Sequence, residues 1–185
     1  MSHGTSPKVQ AFNPSAPPGG LLAKLDRALA LLNHGLQLPS MLALLAAAGI
    51  LTYSVVVRYV FKVPTDWQDE AAVFLLVGAT FLTGAHVQQV RGHIGIEAIG
   101  EILPPSVNRI RYLFVDLATA LFCLFFAWKS WTLCHEAWVD KQTTTSSWGP
   151  PLWIPYATMA AGMTLVGLQA LLQSAIRVTT WGRKP

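Results

Sequence analysis

Apolar and polar positions along this chain fall into long blocks. Leu38 to Val57 is a run of twenty residues without a charge, Ala71 to Val90 is another of twenty, and Pro151 to Ile176 is one of twenty-six. Between them, Tyr112 to Trp128 has seventeen residues with one charge, Asp116. A helix needs about twenty mostly apolar residues to cross the hydrocarbon of a bilayer, where the backbone must satisfy its own hydrogen bonds. The third run reaches that length once its flanks, from about Asn108 to Trp131, are included. Four helices of this kind buried in a soluble core would need more polar chain than 185 residues supply. The pattern therefore predicts an all-α membrane protein with four transmembrane helices, at about 38–59, 67–90, 108–132 and 152–177, in one membrane domain over 21–178.

The polar stretches fill in the rest. Met1 to Gly20 holds four Pro, three Gly and three Ser. It reads as a disordered lead-in, without the charged start and short apolar core of a signal peptide. Leu22, Leu25, Leu29, Leu32 and Leu36 then recur at three- and four-residue steps, with Lys24, Arg27 and His34 largely on the other side. That spacing predicts a separate amphipathic helix before the first span, suited to an interface or a partner helix. After Arg91-Gly92, Ile94, Ala98, Ile99 and Ile102 gather on one side of a short surface helix between spans two and three. Glu97 and Glu101 pair four residues apart on another side, and Pro104-Pro105 ends it. Residues 179–185 are expected to form a tail.

Charge adds an orientation. Only 12% of residues are charged, against about a quarter in soluble domains. The net charge of +4 is spread in twos and threes without a basic stripe, which excludes a nucleic-acid surface. Lys8, Lys24, Arg27, Arg91, Arg109, Arg111, Arg177, Arg183 and Lys184 lie on one side of the four spans, against Arg58, Lys62, Lys129 and Lys141 on the other. The richer side is expected in the cytoplasm, so both termini are expected inside. Trp67, Trp128, Trp131, Trp138, Trp148 and Trp153 then fall near the outer face and only Trp181 near the inner one. Cys123 and Cys134 lie about three helical turns apart in one apolar segment, roughly 16 Å, too far to bridge.

Little in the chain looks catalytic. It has no phosphate-binding glycine loop, no Ser/His/Asp set and no Cys/His spacing for zinc, so no cofactor or metal is expected. Asp116 is an acid inside a span, expected to pair with Arg109 seven residues back or to contact another helix. His86 reads as a packing histidine. In "PTDWQDE", Thr65 or Asp66 is expected to cap the second helix, with Gln68 or Asp69 completing a capping box. That leaves Glu70 for Arg58, its expected partner across the short hairpin, with Trp67 at the same level.

The stretch "RYVFKVPTDWQDEAAVFLLVGATFLTGAHVQQVRGHIGIEAIGEILP" resembles the small membrane subunit of tripartite ATP-independent periplasmic transporters, the DctQ type. The likeness is carried by Arg58-Tyr59, by Trp67 and Glu70 opening the second helix, and by Phe81, Gly84 and Ala85 within it. Arg91, His93, Ile94 and Glu97 follow before Leu103-Pro104, and Thr143 to Ser147 then Pro155 lead into the last helix. The resemblance implies a non-enzymatic scaffold in the bacterial inner membrane. Its partners would be a large membrane subunit, which carries the substrate and coupling-ion sites, and a periplasmic binding protein that delivers an organic acid. Arg58, Trp67, Glu70, Gly84, Arg91, His93, Glu97 and Asp116 are the residues then expected at the partner interface. The alternative is a four-helix anchor with haem between His34 and His86.

The charge split makes a testable statement about topology. In a background lacking Cys123 and Cys134, a cysteine at Thr144 should react with an impermeant thiol reagent on intact cells and one at Gly4 should not. The opposite labelling pattern would reverse the orientation.

Overall fold

A computed structural model describes residues 20–90 and 104–179. Its elements are helix α1 (Leu21–Val56), which continues through a π-helical turn (Val57–Phe61), α2 (Asp66–Gln89), α3 (Pro105–Val139) and α4 (Trp153–Thr179). All four are long and apolar enough to cross a membrane. Among the described residues no strand forms, and the one β-bridge, Thr143 with Pro151, lies in the α3–α4 loop. The lead-in, the surface helix expected at 94–103 and the tail beyond Thr179 lie outside the described residues.

The separate amphipathic helix is replaced by a continuous one. The helix from Leu21 to Phe61 has 41 residues, about 60 Å long and roughly twice the hydrocarbon thickness. Pro39 lies inside it and removes one hydrogen bond to Gly35. The Ser40 hydroxyl donates to the Leu36 carbonyl at 2.8 Å in the same turn. The segment before Pro39 is held by tertiary contact. Asn33, not the leucine stripe, is the buried side chain of this segment, while Leu25 and Leu32 stay about half exposed.

The core is built almost wholly from small residues. On α1 the buried positions are Asn33, Ser40, Ala47 and Ser54, seven residues apart throughout. On α3 they are Asp116, Ala120, Cys123, Ala127, Ser130 and Ala137, in steps of four and three with one of seven. A 3.5-residue repeat of this kind keeps one seam facing a neighbour in a left-handed coil. Both cysteines are free, and Cys123 is part of that seam. Large side chains such as Leu45, Phe114 and Leu121 point outwards. In lipid this is the expected inversion. Burying leucine gains little against acyl chains, whereas small residues let backbones approach.

The two hairpins, α1–α2 and α3–α4, join through α2 and α4, giving the order α1, α2, α4, α3 across the bundle. Gly162 marks the closest approach. A Cβ there would stand 2.5 Å from the Phe81 carbonyl carbon and 2.8 Å from the Phe81 Cβ. At Gly167 it would meet the Leu124 side chain of α3 at 2.8 Å. Phe81 also stacks on Phe126, ring centroids 6.5 Å apart.

Gly162→Ala should therefore destabilise the bundle by about 1–3 kcal/mol, because the obstructing atoms are backbone and cannot rotate away. Gly49→Ala, which meets nothing within 4 Å, should be neutral or stabilising by about 0.5–1 kcal/mol. Unfolding in mixed micelles compares them. Equal stability of the two variants would rule out so close an α2–α4 contact.

Candidate partner interface

Polar chemistry concentrates at the two ends of the bundle. At the first, the π turn carries Arg58, Lys62 turns the chain left-handed (φ 54°), and Thr65 precedes α2. Arg58 Nη2 lies 2.7 Å from Asp69 Oδ2 and 2.7 Å from Thr65 Oγ1, and Arg58 Nε donates to the same hydroxyl oxygen at 3.2 Å. The Ser54 hydroxyl, at the end of the seven-residue seam, is 2.9 Å from Thr65 Oγ1 and 3.0 Å from Asp69 Oδ1. Four side chains from α1, the hairpin and α2 thus share one contact.

This arrangement corrects two expectations. Arg58 pairs with Asp69 rather than Glu70, because successive helical residues are about 100° apart and only Asp69 faces α1. The capping box does not form. Thr65 is the N-cap residue, but its hydroxyl is turned to Arg58 and Ser54 and makes no cap bond. Gln68 is buried instead, with Oε1 lacking a protein partner.

Glu70 faces the other way. Its Oε2 accepts a 2.7 Å hydrogen bond from Ser146 in the α3–α4 loop. That loop is closed by Thr144 N–H to the Pro150 carbonyl (3.1 Å) and Leu152 N–H to the Gln142 carbonyl (3.0 Å). Gly149 supplies the positive φ of 56° that its turn requires and donates its N–H to Ser146 Oγ at 3.2 Å. Trp67 meets Trp148 edge to face at 6.5 Å. The loop is therefore docked on the start of α2. Around it, Tyr59, Phe61 and Trp67 are largely exposed, an apolar rim on a charged hairpin.

At the other end, Asp116 is 1% exposed and its Oδ2 lies 3.4 Å from Arg177 Nη2 on α4. The expectation of a contact with another helix is met by Arg177; the Arg109 side chain lies outside the described residues. The Tyr112 ring has two cationic neighbours, with Arg111 Cζ and Arg177 Cζ each 4.8 Å from its centroid. Nearby, Asn33 Nδ2 donates to Gln89 Oε1 (3.2 Å) and Gln169 Oε1 (3.4 Å), and Gln88 Nε2 donates to Gln173 Oε1 (3.2 Å). The Asn33 amide binds α1 to α2 and α4, and the Gln88–Gln173 bond joins α2 to α4.

Of the remaining sequence candidates, Gly84 faces Val166 of the chain's own α4, where a Cβ would stand 3.3 Å from it, so it is an internal contact. Arg91, His93 and Glu97 lie outside the described residues. The two histidines of the haem alternative are differently placed. His34 is exposed on the outside of α1, while the Nδ1 of His86 is buried without a hydrogen-bond partner. Among the described residues, no three His, Cys, Asp or Glu side chains come together to hold a metal. Sequence reasoning missed Ser54, Ser146, Arg177 and the amide cluster. For Ser54 and Asn33 a signal existed, since both continue the seven-residue series through Ser40 and Ala47.

A family model described as the DctQ component of tripartite ATP-independent periplasmic transporters matches residues 47–180. No curated protein matches the chain.

Charge reversal separates the two possible hairpin pairs. Arg58→Glu with Asp69→Arg should recover part of the stability lost in either single variant. The coupling should be about 0.2–1 kcal/mol, because both side chains are about half exposed (60% and 49%). Arg58→Glu with Glu70→Arg should recover none. Recovery in the second cycle and not the first would restore the Glu70 pairing.

Proposed function

This chain belongs to the DctQ component family of tripartite ATP-independent periplasmic transporters, and on that premise we propose that it is the scaffold for the large subunit of an ion-coupled importer of an organic acid. In this reading the acid arrives on a periplasmic binding protein, and the large subunit holds the substrate and coupling-ion sites. The chain is then a multi-pass protein of the bacterial inner membrane, with both termini cytoplasmic and no catalytic step of its own.

The observation that carries the reading is where the polar groups go. Arg58 and Asp69, Glu70 and Ser146, Asp116 and Arg177, and the amides around Asn33 all bind one another within the chain. What the outer helices α1 and α3 present is apolar, including Leu38, Leu42, Leu45, Phe114, Leu121 and Phe125. A conduction path requires polar side chains aimed at a passage. A scaffold requires a rigid bundle with apolar flanks, which suits a membrane partner packed by dispersion and shape. The hairpin and the docked loop, with Trp67, Trp148 and the exposed Arg58–Asp69 pair, form the rim where that partner and the delivery protein would meet.

Glu70→Ala, which releases the α3–α4 loop from α2, should reduce co-purification of the large subunit and lower uptake in proteoliposomes. Substrate binding by the soluble protein should be unchanged. Ser146→Ala should reproduce the defect, since it removes the same bond and leaves the carboxylate. Full assembly and uptake in Glu70→Ala, or transport by the large subunit alone, would overturn the scaffold role.

A further inference from the structure

Among the described residues, the Asp116 end of the bundle carries more donors than acceptors. Arg111 and Arg177 both lie against Tyr112, one guanidinium carbon 4.8 Å from the ring centroid in each case. One carboxylate, Asp116, is within ion-pair distance of Arg177. Arg111 is left with its Nε and Nη2 out of solvent contact and without a protein hydrogen-bond partner. Buried N–H donors are nearly always satisfied, so two such donors on one cationic fork identify a position where an acceptor belongs. A guanidinium offers those donors in the plane that matches a phosphate or carboxylate bidentately.

The surroundings narrow the acceptor further. Arg111 stands six residues into α3, about 9 Å from its start, and Arg177 stands two residues before the end of α4, so both lie at one end of the spans. That is the depth of lipid headgroups for helices of this length. Directly beside Arg111, the exposed residues Ile110, Phe114, Leu117 and Leu121 follow at steps of four, three and four, forming an apolar ridge that leads away along α3. A ligand with an anionic head at Arg111 and hydrocarbon along this ridge satisfies both. We propose that Arg111, with Tyr112 and Arg177 as its fixed frame, binds the phosphodiester of an anionic phospholipid, with the acyl chains lying on the Ile110–Leu121 ridge. Among the described residues, Arg111 and Arg177 stand against the one carboxylate of Asp116, which favours a headgroup of net negative charge over a zwitterionic one. The proposal does not depend on the transport reading or on which face is cytoplasmic.

The test uses the full chain, delipidated in detergent and titrated with short-chain phosphatidylglycerol, phosphatidylcholine or inorganic phosphate, read by native mass spectrometry and by thermal unfolding. Phosphatidylglycerol should be retained at one molecule per chain and should raise the unfolding temperature, with much weaker effects from the other two. R111Q should bind phosphatidylglycerol about fivefold less tightly, on the order of the contribution of one interfacial basic residue. Its lipid-free unfolding should change little, because what R111Q removes among the described residues is the contact with the Tyr112 ring. R27Q removes an equal charge from the exposed surface of α1 and should leave binding unchanged. Several results would overturn the proposal. Equal response to phosphatidylcholine would show no selection for charge, and equal response to inorganic phosphate would indicate a free-anion site. An R27Q defect as large as that of R111Q would indicate diffuse attraction. Undiminished lipid binding by R111Q, with weakened co-purification of the large subunit, would assign the guanidinium to an acidic side chain of that partner.

Discussion

Helices that share a bilayer gain almost nothing by burying leucine against one another, because acyl chains are as apolar as leucine itself. Close backbone approach is what remains, and it depends on residues that take up no space. In this bundle Gly162 lies against the Phe81 carbonyl and Gly167 against Leu124, so α4 contacts both α2 and α3 at short range. The rest follows from that central contact. Alanines line the seams, Phe81 is held beside Phe126, and side chains such as Leu42, Leu45, Phe114 and Leu121 on α1 and α3 turn outwards. The apolar exterior is a consequence of how the interior is made.

Polar contacts then set register within the seams. Such contacts between membrane helices contribute modestly, about 0.6 kcal/mol on average, so their value is in choosing one packing over its neighbours. Ser54 and Thr65 with Arg58 and Asp69 hold α1 to α2 at one end. Asp116 with Arg177 holds α3 to α4 at the other, and Asn33 reaches Gln89 and Gln169 from α1. Each polar group therefore fixes which helix faces which.

Much of this was legible in the chain. The four spans, their lengths and their lack of charge are one-dimensional properties, and the requirement that a helix satisfy its own backbone in lipid converts them directly into transmembrane helices. The ordered set from Arg58 to Glu97 also carried the family, whose match runs over 47–180. The partner of each polar group was not legible. Asp69 and Glu70 are adjacent in sequence but about 100° apart on α2, so one meets Arg58 and the other Ser146, seventy-six residues away. Pairing depends on helix rotation and on the order α1, α2, α4, α3, neither of which a run of apolar residues contains. The continuity of α1 through Pro39 has the same origin. Local pattern favoured a break, whereas the helix runs through and the segment before Pro39 is held to α2 and α4 by the buried amide of Asn33. Composition determined that the chain crosses a membrane four times; only the packed helices decided which charges meet, because that is a question of angle and neighbour, not of sequence distance.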